Sequence, residues 1–125
     1  MLDKRYYEGY EGEGEVKVWS EENCNQDGIV IWIGFFDTIL EGCFSQEFQK
    51  NGIIECYFNQ DGFYDDRWEM KYPHIVLEEL KRFNEKLLDK IDEEIIKESK
   101  EVIEQLIFFI NIAIKNERII YVEYN

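Results

Sequence analysis

Asp61, Asp65, Asp66 and Glu69 crowd into one short stretch with Phe63, Tyr64 and Trp68. Paired carboxylates at such spacing serve glycosidases as acid and base, and metal-dependent nucleases as cation ligands. No base, phosphate loop or oxyanion donor can be named beside them, so a small hydrolase working through Asp65, Asp66 or Glu69 is the lesser reading. Rigid rings with acidic neighbours also make a docking patch, because rings anchor interfaces and acids steer a basic partner. Residues 6–15 repeat the mixture of tyrosine, glutamate and glycine. The expected partner-binding residues are therefore Asp61, Tyr64, Asp65, Asp66, Trp68 and Glu69, joined by Tyr7, Tyr10, Glu11 and Glu13. At least half of the rings in the stretch around residues 57–68 are expected in the core instead.

Other constellations carry less chemistry. Asn-Gln-Asp-Gly occurs at 25–28 and again at 59–62. Asn23, Asn25, Asp27 and Gly28 match the opening of a calcium loop, but Gly34 stands where the bidentate glutamate belongs, and Trp68 stands there for the second copy. Both copies read as turns. His74 is the single histidine, and Cys24, Cys43 and Cys56 are an odd count with no C-x-x-C pair. That excludes ordinary zinc spacing and a disulfide framework, and it points to a reducing compartment, with the cytoplasm as the expected location. Cys56 reads as a small buried hydrophobe and not as a nucleophile paired with His74. No metal or cofactor is expected.

Charge narrows the partner. The 28 acidic residues against 14 basic ones give −14, which repels nucleic acid and anionic lipid and favours a basic protein. Residues 55–69 hold five acids and one base, whereas residues 78–104 hold ten acids interleaved with six bases. The second set reads as an ordinary solvated helical face.

The elements that must position these groups follow from periodicity. The chain of 125 residues fits one domain, with residues 1–14 as a flexible acidic arm. Val16 and Val18 alternate as a strand, and residues 29–36, apolar on both sets, suit a central strand in which Gly34 marks a bulge. Asn51-Gly52 is a hairpin signal, so residues 43–70 read as an antiparallel meander. After Pro73 the period becomes helical. A single helix over 75–116 would reach about 60 Å, so a break is expected at 89–92 or at Ser99. Residues 119–124 read as a closing strand. The fold class is α+β: an antiparallel sheet of about four to six strands, built from residues 15–70 and 119–124, against two or three helices in 75–116. No stretch has the length of a membrane span, and no membrane partner is expected.

In its size, its acidity, its tyrosine- and tryptophan-rich strands and its lack of catalytic motifs, the whole chain resembles the immunity proteins of bacterial toxin–immunity systems, including contact-dependent inhibition and polymorphic toxins. The resemblance implies a cognate toxin encoded nearby and neutralised by direct binding, and it assigns no role to any single residue. A nuclease is the toxin whose positive groove such a protein would fill. A DNA mimic or regulatory adaptor for a basic protein is the alternative, although the helical lysines interrupt its negative array. Self-association is a further reading, since Phe108 and Phe109 fall outside the best apolar stripe of their helix.

Overall fold

The computed structural model describes residues 1–45, 50–59 and 66–125. Its centre is a hairpin of β2 (Glu15–Glu22) and β3 (Asn25–Trp32), with Val16 opposite Ile31 and Val18 opposite Ile29. All four are buried on the inner face, as the two-residue period requires. Asn23 and Cys24 make the turn, both with positive φ (51° and 67°), the geometry of a type I′ hairpin. This corrects the expectation of a turn at 25–28: that tetrapeptide is the first half of β3. Gly28 is needed there for a different reason, because a Cβ would stand 2.1 Å from the Val18 carbonyl oxygen.

The strand expected over 29–36 is also corrected. β3 stops at Trp32, and α1 (Ile33–Gly42) starts at the next residue. Phe35, Phe36, Ile39 and Leu40 form the buried side of that helix, and an apolar run of this kind satisfies strand and helix patterns alike. Gly34 lies in the first helical turn under the Trp32 indole and marks no bulge.

The meander expected over 43–70 gives way to helix as well. Asn51 does take a positive φ of 68°, but Ile53–Asn59 is α2, with Ile53, Ile54 and Cys56 buried. The Glu79 side chain, fully buried, accepts the Ile53 N–H at 2.8 Å. Gly52 leaves the space that the carboxylate fills. A helix start, which leaves its first N–H groups unpaired, is thereby satisfied from another element. At the end of that expected meander the described residues form only β4 (Trp68–Glu69); the turn expected at 59–62 lies mostly outside them.

The remaining order follows the helical period. α3 (Pro73–Lys81) and a short 3-10 turn (Glu85–Leu87) precede α4 (Glu93–Lys115). The helical region breaks before Asp92, which caps α4 by accepting the Glu94 N–H at 2.8 Å, while Ser99 lies buried inside α4. At its other end Glu117 takes φ 55°, and Glu117 N–H and Arg118 N–H bond back to Ile114 and Ala113 carbonyls, a Schellman closure. β5 (Tyr121–Tyr124) then pairs with β2.

The five strands run in the order β1-β3-β2-β5-β4. β1 is Leu2–Tyr6, parallel to β3, so the expected arm carries an edge strand in its first half. The other pairings are antiparallel. Helices cover the inner face, where Val16, Val18, Ile29, Ile31 and Val122 meet Phe36, Ile39, Val102, Leu106 and Ile110. The fold is α+β. Among the described residues no helix is long and apolar enough to cross a membrane.

Candidate functional site: an acidic face around stacked rings

The link between β1 and β2 is a loop that its own side chains hold in shape. Gly9 and Gly12 supply positive φ values of 90° and 94°, which residues with a Cβ rarely adopt. The Gly9 N–H donates to Glu11 Oε2 at 3.0 Å, and the Tyr7 hydroxyl donates to the Glu13 carbonyl at 2.9 Å. Trp32, last residue of β3, donates its indole N–H to Glu13 Oε1 at 3.2 Å. The Tyr10 ring stacks on that indole at 3.9 Å, and Phe35 meets both rings edge-on. Tyr7, Tyr10, Glu11 and Glu13 are thus brought together, with their acids exposed.

α4 adds to this loop. Burial raises the Tyr10 hydroxyl above its ordinary range, and the Glu98 and Glu13 carboxylates raise it further. Tyr6 is raised chiefly by burial; Asp3, Glu101 and Glu104 add to the rise and Arg5 opposes it. Glu98, Glu101 and Glu104 are exposed on α4, so the helix adds acidic charge beside Tyr10 and Tyr6. One cation beside the loop is already engaged: Arg5 clasps Asp3 through two nitrogens, at 2.7 and 3.0 Å at closest, and holds that carboxyl below its usual range.

The other expected residues lie elsewhere. Asp61, Tyr64 and Asp65 fall outside the described residues. Trp68 pairs with the inward-facing Val122 and packs partly buried on the core, so it is a core ring before it is an anchor. Asp66 is exposed and accepts the Arg67 N–H at 2.8 Å. Glu69 is exposed opposite Tyr121 on the outer sheet face. There Arg67 lies 4.1 Å above the Tyr121 ring and Lys17 4.8 Å above Trp19. β1 and β4 are opposite edges of the sheet, roughly 19 Å apart at about 4.8 Å per strand spacing. β2 and β4 both run antiparallel to β5. The loop ahead of β2 and Asp66 ahead of β4 therefore share one end of the sheet but stand on either side of β5.

Sequence reasoning missed Tyr6, Trp32 and the three glutamates of α4. Their three-residue spacing was the available signal, hidden by the lysines at 97 and 100.

The groups with nucleophilic or ligating chemistry are placed differently. Burial pushes the Cys43 thiol up to about 12, helped by Glu79. It pushes Cys56 up to about 11, helped by Glu55. Cys56 is the small buried hydrophobe the sequence suggested, Cys43 is buried as well, and Cys24 is exposed at the hairpin tip. Among the described residues no group of three or more His, Cys, Asp or Glu side chains is placed to hold a metal ion. Comparison with known families, characterised proteins and solved structures gives no match.

Proposed function

We propose that the protein is an acidic binding protein that docks on a basic partner and neutralises it, as an immunity protein covers the active site of a cognate toxin. The observation that carries this reading is the meeting of loop and α4 at Tyr10: its ring stacks on Trp32, whose indole N–H holds Glu13, and Glu98 of α4 acts on its hydroxyl, with exposed Glu11 on the same loop and Glu101 of α4 acting on neighbouring Tyr6. Fixed rings bordered by carboxylates suit a cationic surface: the rings need little ordering on contact, and the acids speed encounter. A nuclease has to hold phosphates in a positive groove, so its active site is the surface such a face would fill most directly.

The test uses the product of the reading frame adjacent to this one. Expressed alone it should arrest growth, and co-expression of this chain should relieve the arrest. The variant E11Q/E13Q/E98Q/E101Q keeps an acceptor for the Trp32 N–H and removes four charges. It should associate about 10- to 100-fold more slowly at low salt, the gap narrowing as salt rises, with dissociation changed less. Equal association rates for variant and parent at low salt would refute the reading.

A further inference from the structure

α4 turns one stripe away from the core: Lys97, Glu101, Glu104, Phe108, Ile112 and Lys115 are all exposed and recur every three or four residues. Its opposite side, from Val102 through Leu106 and Ile110 to Ala113, is buried. The middle of the exposed stripe is apolar. Phe108 is 63% exposed and Ile112 39%, and they sit one turn apart, so they form a single patch in the helix surface. Such a patch, bordered by charges, is the composition of a contact surface.

The order of charges along the stripe identifies what fits. An acid, Glu104, lies on one side of the patch and a base, Lys115, on the other. At about 1.5 Å per residue they stand about 9 Å before and about 7.5 Å after the midpoint of the patch. Read in reverse, the stripe is complementary to itself. We propose that it docks on the same stripe of a second copy of this chain, with the two α4 helices antiparallel about a twofold axis midway between Phe108 and Ile112. Each Phe108 then covers the other copy's Ile112, and each Glu104 faces the other copy's Lys115, the self-complementary contact that a closed twofold dimer needs.

The alternatives fit less well. Parallel helices would set Glu104 on Glu104 and Lys115 on Lys115. A uniformly basic partner would meet Lys97 and Lys115 at the two ends of the stripe, whereas a second copy turned end for end meets Lys115 with a glutamate. The charge of −14 on each copy opposes the approach at low salt, but charges farther apart than about 8 Å are largely screened at physiological ionic strength. This pairing goes beyond the binding function proposed above and stands without it.

Sedimentation equilibrium of the full chain at physiological ionic strength tests it. The parent should show a monomer–dimer equilibrium, and Phe108→Ser should weaken it about a hundredfold, as loss of a central ring does. Glu104→Lys and Lys115→Glu should each weaken it about tenfold, because each sets two pairs of like charges together. Combined, E104K/K115E should recover the parent value to within about threefold. All these positions are exposed, and unchanged far-ultraviolet dichroism confirms that each variant folds. A parent that stays monomeric up to about half-millimolar concentration would overturn the proposal. So would a dimer indifferent to Phe108→Ser, or one that the double charge exchange fails to restore.

Discussion

The Tyr10 ring lies flat on the Trp32 indole, with centroids 3.9 Å apart and planes 8° from parallel. This contact ties the acidic loop to the last residue of β3. Glycines at 9 and 12 raise the cost of ordering the loop, so the stack and the Trp32–Glu13 hydrogen bond have to hold it. Tyr10→Ala should destabilise the protein by about 1–3 kcal/mol, combining lost area with the ring contact. Tyr10→Phe should cost well under about 1 kcal/mol, since stacking needs no hydroxyl. Urea unfolding measures both. Equal losses for the two variants would mean that the ring contact contributes nothing.

Glu79 caps α2 from inside the core, and burial raises its carboxyl above the ordinary range; the Ile53 and Ile54 N–H groups and Arg82 oppose the shift, and Glu55 adds to it. The folded state therefore holds this proton more tightly than the unfolded state. That contribution to stability is full below the ordinary glutamate range and is lost as pH rises through the raised value. Glu79→Gln keeps an acceptor for Ile53 without the charge, and its stability should decline less than that of the parent across this window. Glu79→Ala leaves the Ile53 N–H without its partner and should cost about 1–3 kcal/mol at every pH. Denaturation midpoints measured from acid to neutral pH check both; parallel curves for Glu79→Gln and parent would contradict the assignment.

The fold class, the β2 strand, the helical break before Asp92 and the closing strand were legible because alternation or capping marked them. Residues 29–36 and 53–58 were not: the first is apolar on both alternating sets, and in the second Ile54, Cys56 and Phe58 fit a strand's alternation although the segment is helical. Distant contacts decided them: Glu79 supplies the cap that makes 53–59 a helix, and no local pattern announces a cap lying in another helix. The candidate site was half legible for the same reason. Tyr7, Tyr10, Glu11 and Glu13 stood out by composition, whereas Glu98 and Glu101 joined them only through the packing of α4. Trp68 looked like an anchor because composition does not say which sheet face a ring occupies.

The β2–β3 turn places Cys24 in a left-handed conformation, φ 67°, immediately after Asn23 at 51°. Asparagine tolerates that region, and a side chain such as that of cysteine does so at a cost. Glycine at the second position completes the Asn-Gly sequence that type I′ turns favour. Cys24→Gly should stabilise the protein by roughly 0.5–1 kcal/mol, after the loss of unfolded-state restriction is set against relieved strain. A thermal shift of a few degrees upward is the expected reading. No shift, or a lower midpoint, would show that the turn holds no strain at this residue.

The same hairpin tip makes the three thiols chemically unequal. Cys24 is exposed, whereas Cys43 and Cys56 are buried, with thiols pushed up to about 12 and about 11. The thiolate is the reacting species, so at pH 8 roughly one part in ten thousand of Cys43 and one in a thousand of Cys56 is in reactive form even before access is considered. A disulfide reagent at pH 8 should therefore modify one thiol per native chain within minutes and all three in denaturant. The slow native reaction of the other two should follow local opening of α1 and α2, and so quicken in Glu79→Ala, which loosens the start of α2, for Cys56 more than for Cys43. A native chain that gives two fast thiols, or a Cys24→Gly chain that still gives one, would contradict the burial of these side chains.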